Sequence, residues 1–197
     1  MLDIDVIDNP AAAAAALDPI KARLLAELAE PASAAALSAR VGIARQKINY
    51  HLHGLEEHGL ITVAGQRKWG GLTERRMVAT AASYVVSPSA MGPVAADPAR
   101  TSDHLSASYM IALGARIVRE VGTLWRRARE SDKRLATLSI DTEIRFRSAA
   151  ERAAFTQEVT QAIAELAGRY HDETAPGGRP HRVMLMAHPS PEENTCH

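Results

Sequence analysis

The segment ARQKINYHLHGLEEHGLI, residues 44–61, gathers side chains that hydrogen-bond anions and base edges. Arg45, Gln46 and Lys47 fall within one turn, and Asn49, Tyr50 and His53 follow at helical spacing. Guanidinium and ammonium groups pair with phosphates or guanine edges, while carboxamides match the donor and acceptor pattern of adenine. Ile48, Leu52, Leu55 and Leu60 recur close to one stripe, so the polar residues are left on other faces of a helix. A charged helix face alone is usually a solvated surface. The neighbouring elements decide between that reading and a surface that reads DNA.

Those elements are ordered around the segment. Asp18 before Pro19 places a capping carboxylate ahead of a proline at the first helical position. A helix carrying Ile20, Leu24, Leu25 and Leu28 on one face is therefore expected there, ending by Pro31. Ser33 caps a second helix with Leu37 and Val41, and Gly42 supplies a residue free to take positive φ. The third helix begins at about Ala44 and closes at Gly59. "LITVA" then reads as a strand, and "GQRKWGGLTERRMVAT" as a basic hairpin with Gly70-Gly71 in or near its turn. Arg67, Lys68, Arg75 and Arg76 on that hairpin suit the phosphate backbone or the minor groove. Helix, helix, turn, helix and two-stranded wing is the order of a winged helix-turn-helix.

Composition sets the bounds. With 46% apolar and only 4% aromatic residues, and much alanine, the chain is expected to be mostly α. Lys and Arg balance Asp and Glu at 23 each, so no global field draws it to nucleic acid or membrane. Residues 18–80 nevertheless carry nine basic against six acidic side chains, a local surplus that a neutral total conceals. The lone cysteine, Cys196, permits no intrachain disulfide. No apolar run approaches the roughly 18 residues of a membrane span, so a cytoplasmic protein with no membrane partner is expected.

The expected division is an N-terminal tail over 1–17, a winged helix-turn-helix domain over 18–86 and a linker over 87–103. A long dimerisation helix follows over 104–134, then a small C-terminal α/β extension, β-α-β over 135–188, and a disordered tail over 189–197. In the long helix Leu105, Tyr109, Leu113, Ile117, Val121 and Leu124 recur at three and four residues, with Ala112, Ala115 and Gly122 letting a partner helix approach. "LSIDTEIRF" alternates as a half-buried strand does, Ser148 with Glu151 forms a capping box, and "HRVMLMAH" suggests a second strand.

Residues 18 to about 80 resemble the winged-helix DNA-binding domain of ArsR-type bacterial transcriptional regulators. "SAAALSARVGIARQKINYHLHGLEEHGLI" lies at the centre of the resemblance and "GGLTERRMVATA" forms the wing. The resemblance spans about a third of the chain. It implies a homodimer, with helices outside the reading head forming the interface, that binds a palindromic operator in double-stranded DNA. Ala44 departs from the capping serine common in the family, which weakens the expected cap. The arsenic-sensing members carry thiolates on the second helix, where this chain has "SAAALS". A zinc-type site on the late helix would have to use Asp103, His104 and Glu120, with Ile117 where a ligand would help, and this is an incomplete set. His51 and His53, two residues apart, point to different faces and cannot chelate one ion; His51 reads as a packing residue and His53 as a polar contact near DNA.

No nucleophile with a base, phosphate loop or paired carboxylate stands out, so neither catalysis nor a cofactor is expected. The C-terminal extension leaves room for an enlarged dimer interface or a small-molecule effector pocket, for which Trp125, Phe155, Met184 and Met186 are the candidate apolar lining. The expected function is sequence-specific DNA binding by an ArsR-like regulator without the thiolate site. A zinc-responsive regulator and a winged helix that binds protein in place of DNA are the alternatives.

Overall fold

The computed structural model of the chain describes residues 1–69 and 72–191. It divides into two units, Met1–Ala136 and Thr137–His197.

The first unit opens with a strand, β1 (Asp5–Ile7), and a helix, α1 (Pro10–Leu17). The expected N-terminal tail is therefore structured, which corrects the reading of 1–17. Asn9 caps α1 by accepting from the N–H groups of Ala11 and Ala12. Ala12, Ala13 and Ala15 are buried. An all-alanine face lets neighbours approach closely but carries no amphipathic signal, so α1 escapes a search for apolar periodicity.

Helix α2 (Pro19–Glu27) starts where Asp18 and Pro19 place it, with the Asp18 carboxylate accepting from Ile20 and Lys21. These bonds, the one from Lys21 foremost, hold that carboxyl below its ordinary pKa. A two-residue strand, β2 (Ala32–Ser33), leads into α3 (Ala34–Val41), which Ser33 caps and which ends on Gly42 at φ 70°. Helix α4 (Arg45–Glu57) follows, and Gly59 at φ 70° turns the chain into β3 (Ile61–Trp69). The two glycines matter because a left-handed backbone strains any residue with a Cβ.

Strand β4 (Leu72–Ala79) pairs antiparallel with β3 to form the wing and, along its other edge, with β2. A register shift between Val63 and Gly65 marks a bulge in the hairpin. The turn expected at Gly70-Gly71 lies outside the described residues. Leu24, Leu28, Leu37, Ile48 and Leu55 are fully buried among α2, α3 and α4, with Met77 and Ala79 of β4 closing the core. Each such aliphatic side chain contributes about 1.5–3 kcal/mol relative to exposure.

Strand β5 (Tyr84–Val86) pairs in parallel with β1, Val6 lying opposite Val85. The expected linker over 87–103 is also structured, holding two 3₁₀ segments, Pro88–Val94 and Pro98–Arg100. Both pack on the long helix α5 (Ala107–Glu130), which also packs on β1. Gly122 meets Val6 of β1 rather than a second helix, and Arg126 reaches Asp8 at 2.8 Å and the Val6 carbonyl at 3.2 Å.

In the second unit α6 (Ala149–Tyr170) forms where expected, and the Ser148 hydroxyl accepts from the Glu151 N–H at 3.1 Å. The Glu151 carboxylate turns to Arg147, side chain and N–H both, which holds its pKa below the ordinary value. The two expected strands are not formed: among the described residues, 138–146 and 181–188 join no ladder. Alternation qualifies a segment for a sheet, but two strands alone are marginal and this unit offers them no third. Leu138, Ile140, Val183 and Leu185 stay exposed, so the β-α-β reading is corrected to a helix flanked by segments without regular secondary structure.

A Cβ at Gly122 would lie 2.9 Å from Val6 Cγ1 and 3.1 Å from Val6 Cβ. Helix propensity favours alanine there by about 1 kcal/mol, but Val6 is stiff at χ1 and overpacking costs about 1–3 kcal/mol. Gly122→Ala is expected to lower the midpoint of denaturant unfolding, and Val6→Ala in the same chain to restore it. A single variant as stable as the parent would show that β1 can yield.

Candidate nucleic-acid interface

Helix α4 is held by one side. Ile48, His51, Leu52 and Leu55 are its buried residues, at spacings of three and four. The preceding turn is braced by the Ser38 hydroxyl, which donates to the Ile43 carbonyl at 2.6 Å. At the far end the Tyr84 hydroxyl donates to the Leu60 carbonyl at 2.7 Å, joined there by Thr80 at 3.0 Å. The helix starts on Ala44 without a side-chain cap, as the residue type dictates.

With α4 fixed this way, about 100° of rotation per residue sorts its polar side chains. Gln46, Tyr50 and Glu57 lie opposite the buried stripe, and Tyr50 is 75% exposed. Arg45, Asn49, His53 and Glu56 form the flank toward the wing and, with Thr73 and Arg75, line a groove of about 340 Å³. Lys47 and Gly54 lie on the other flank; the Lys21 ammonium of α2 is 3.4 Å from where a Cβ on Gly54 would be. Arg45, Gln46, Lys47, Asn49 and His53 are all exposed.

The four wing cations separate into two kinds. Arg67 and Lys68 on β3 are exposed, with Glu74 and Thr73 of β4 directly opposite them in register. Arg75 is ion-paired with Glu56 at the end of α4, and Arg76 donates to the Pro31 carbonyl at 2.7 Å. Arg76 thus fastens β4 to the turn before β2, a structural contact that the expectation of four equivalent phosphate binders did not contain. Glu56 was missed as well. Its position three residues after His53 and seven after Asn49 is the signal that places it on the same flank.

His51 is buried, 7% exposed, and neither ring nitrogen has a hydrogen-bond partner among the described residues. Its ring meets the edge of Tyr50 with centroids 5.5 Å apart. His104 stacks on Tyr109 at 4.5 Å. Among the described residues no three His, Cys, Asp or Glu side chains are placed to hold a metal ion, and no helix is long and apolar enough to cross a membrane. Of the candidate pocket residues, Trp125 lies on α5 beneath the Arg129 guanidinium, 5.2 Å from the ring centroid. Phe155 meets Phe146 at 5.3 Å in the second unit, which also holds Met184 and Met186. The four residues therefore belong to two different units.

Two helices joined by a tight glycine turn, the second presenting a polar face beside a basic hairpin, define a winged helix-turn-helix module. Residues 16–64 match the family described as a helix-turn-helix domain, and the chain carries that domain. The resemblance to ArsR-type regulators read from residues 18 to about 80 overlaps that match over 18–64 and extends past it into the wing. No curated protein matches the chain. A solved ArsR-like transcriptional regulator from Rhodococcus sp. RHA1 is similar over 79% of this chain and 92% of that one, at 18% identity and a TM-score of 0.32.

Burying two unpartnered imidazole nitrogens carries a desolvation cost that an apolar side chain avoids. His51→Leu is expected to leave unfolding stability unchanged or to raise it by up to about 1 kcal/mol. A loss of more than about 2 kcal/mol in chemical denaturation would show that the nitrogens have partners after all.

Proposed function

We propose that the chain is an ArsR-like transcriptional regulator that binds double-stranded DNA sequence-specifically as a homodimer at a palindromic operator. The observation that carries this reading is the division of α4 into a buried stripe and exposed polar residues, Gln46 and Tyr50 opposite it and Asn49 and His53 on the flank toward a basic wing. A helix with that face fits the major groove, where side-chain amides read base edges. Arg45 and Lys47 on its two flanks and Arg67 and Lys68 on the wing are suited to phosphates, which position the protein without specifying sequence. Arg75 and Arg76, already partnered, contribute less than the count of four wing cations suggests.

Homodimerisation is supported by apolar residues that a single chain leaves in water. On α5, Ile111 is 69% exposed and Val121 and Leu124 are also exposed. Absence of thiols from α3 supports regulation by something other than the thiolate chemistry of the arsenic sensors, and Asp103, His104 and Glu120 remain too few for a zinc site of that type.

Selection from a random DNA pool at two salt concentrations tests the reading; a palindrome with half-sites about one helical turn apart is expected. Gln46→Ala or Asn49→Ala should then alter preference at particular bases by about 1–3 kcal/mol. Arg67→Ala and Lys68→Ala should instead weaken binding to all sequences and each reduce the salt slope by about 1. Uniform loss in the first pair, or altered site choice in the second, contradicts the roles given.

For the dimer, Ile111→Asp should weaken self-association by at least about tenfold, since burying an isoleucine contributes more than 1.4 kcal/mol. Sedimentation of the full chain measures this. An unaltered chain that remains monomeric at micromolar concentration would sink the homodimer reading.

A further inference from the structure

The groove between α4 and β4 carries donors on both sides, with the Glu56 and Glu74 carboxylates also in its lining. Arg45, Asn49 and His53 stand on the helix at intervals of four residues, and Thr73 and Arg75 stand on the strand. Its volume of about 340 Å³ is ample for a phosphate group and part of its sugar. At its end the Glu56 carboxylate is ion-paired with the Arg75 guanidinium, the two side chains being 31% and 49% exposed. A pair so open to solvent is screened by salt and contributes little to holding a fold together. Arg76, one residue on, instead ties β4 to the main chain before β2, donating to the Pro31 carbonyl. The Glu56–Arg75 pair is therefore better suited to exchange than to support.

We propose that Glu56 is a resident stand-in for a DNA phosphate: it occupies Arg75 in the free protein, and a backbone phosphate entering the groove displaces it. This deepens the DNA-binding reading above and rests on it. While the pair persists, Arg75 offers the duplex no net charge, so Glu56 lowers affinity and lowers the number of counterions released on binding. The same carboxylate holds the guanidinium in the groove, so the cation is in place when a phosphate enters. Glu56 thus sets how strongly the wing grips any sequence, whereas Gln46 and Asn49 of α4 set which sequence is preferred.

The test uses the full chain and a duplex of random sequence, with affinity measured across a series of salt concentrations. Glu56→Gln, isosteric but neutral, is expected to tighten binding by about threefold or more at low salt and to steepen the slope of log affinity against log salt by about 1. In an Arg75→Gln background the same substitution should leave the slope unchanged, because there is no cation left to release. Thermal unfolding establishes that each variant is folded, and Glu56→Ser serves as a second neutral variant if Glu56→Gln does not fold. An equal gain in both backgrounds would overturn the proposal, showing that Glu56 acts only as a nearby negative charge. No change in either background would also overturn it, leaving DNA binding itself intact. If the unaltered chain binds no duplex even at low salt, the DNA reading falls and this one with it.

Discussion

The burial of one stripe of α4 is the constraint on which the rest of the molecule depends. Ile48, Leu52 and Leu55 lie in the core that α4 shares with α1, α2, α3 and β3, and His51 is taken into the same layer at the cost of two unpartnered nitrogens. A helix anchored along one line cannot rotate without exposing it, so every polar residue on its other faces acquires a fixed direction. The glycine turns at Gly42 and Gly59 set where the helix begins and ends. Bonds from Ser38 to Ile43 and from Tyr84 to Leu60 keep those turns from sliding. An interface for base edges needs this rigidity, because a hydrogen bond discriminates only if the groups making it are held in place.

Electrostatics acts on that frame locally. The chain is neutral as a whole, and at physiological salt a charge is felt over about 8 Å. The relevant quantity is therefore which cations remain uncompensated within one reading head. Arg45, Lys47, Arg67 and Lys68 lie exposed around α4 and the wing, while Arg75 is matched by Glu56 and Arg76 is bonded to the Pro31 carbonyl. Nearby acids temper the head rather than neutralise it. A moderate field of this kind favours release from wrong sequences, since nonspecific affinity rises steeply with each added phosphate contact.

Much of this was legible in residue types that act locally. Asp18 before Pro19, Ser33, Gly42 and Gly59 specify helix ends by chemistry confined to a few residues, and the structure places α2, α3 and α4 accordingly. Features that depend on distant partners were not legible. The pairing of β1 with β5 joins residues almost eighty apart, and α1 is built from alanines whose fit to neighbours leaves no periodic trace. Gly122 reads as a site for helix approach but meets a strand. Conversely 138–146 alternate as a strand should, yet a ladder needs a neighbour that alternation cannot supply. The site shows the same division. Polar residues on α4 follow from helical spacing alone, whereas the pairing of Glu56 with Arg75 requires knowing how the wing folds back.

The contacts of α5 bear on how a signal could reach the reading head. Val6 seats against Gly122, Arg126 bridges to Asp8, and β1 carries these attachments into its ladder with β5. Strand β5 begins at Tyr84, whose hydroxyl bonds the Leu60 carbonyl just beyond α4. The path from the long helix to the end of α4 is thus continuous, made of one steric seat and otherwise of directional hydrogen bonds. Continuity by itself transmits nothing, because coupling requires an element with two arrangements and a ligand that prefers one of them. The rigid members here are the ladder and the capped helices. At the Val6–Gly122 seat the contact is steric alone, the Val6 side chain lying where a Cβ on Gly122 would be. A change in the packing of α5 therefore has a route to the end of α4 through β1 and Tyr84, besides the one through the first 3₁₀ segment and α1 to its buried side.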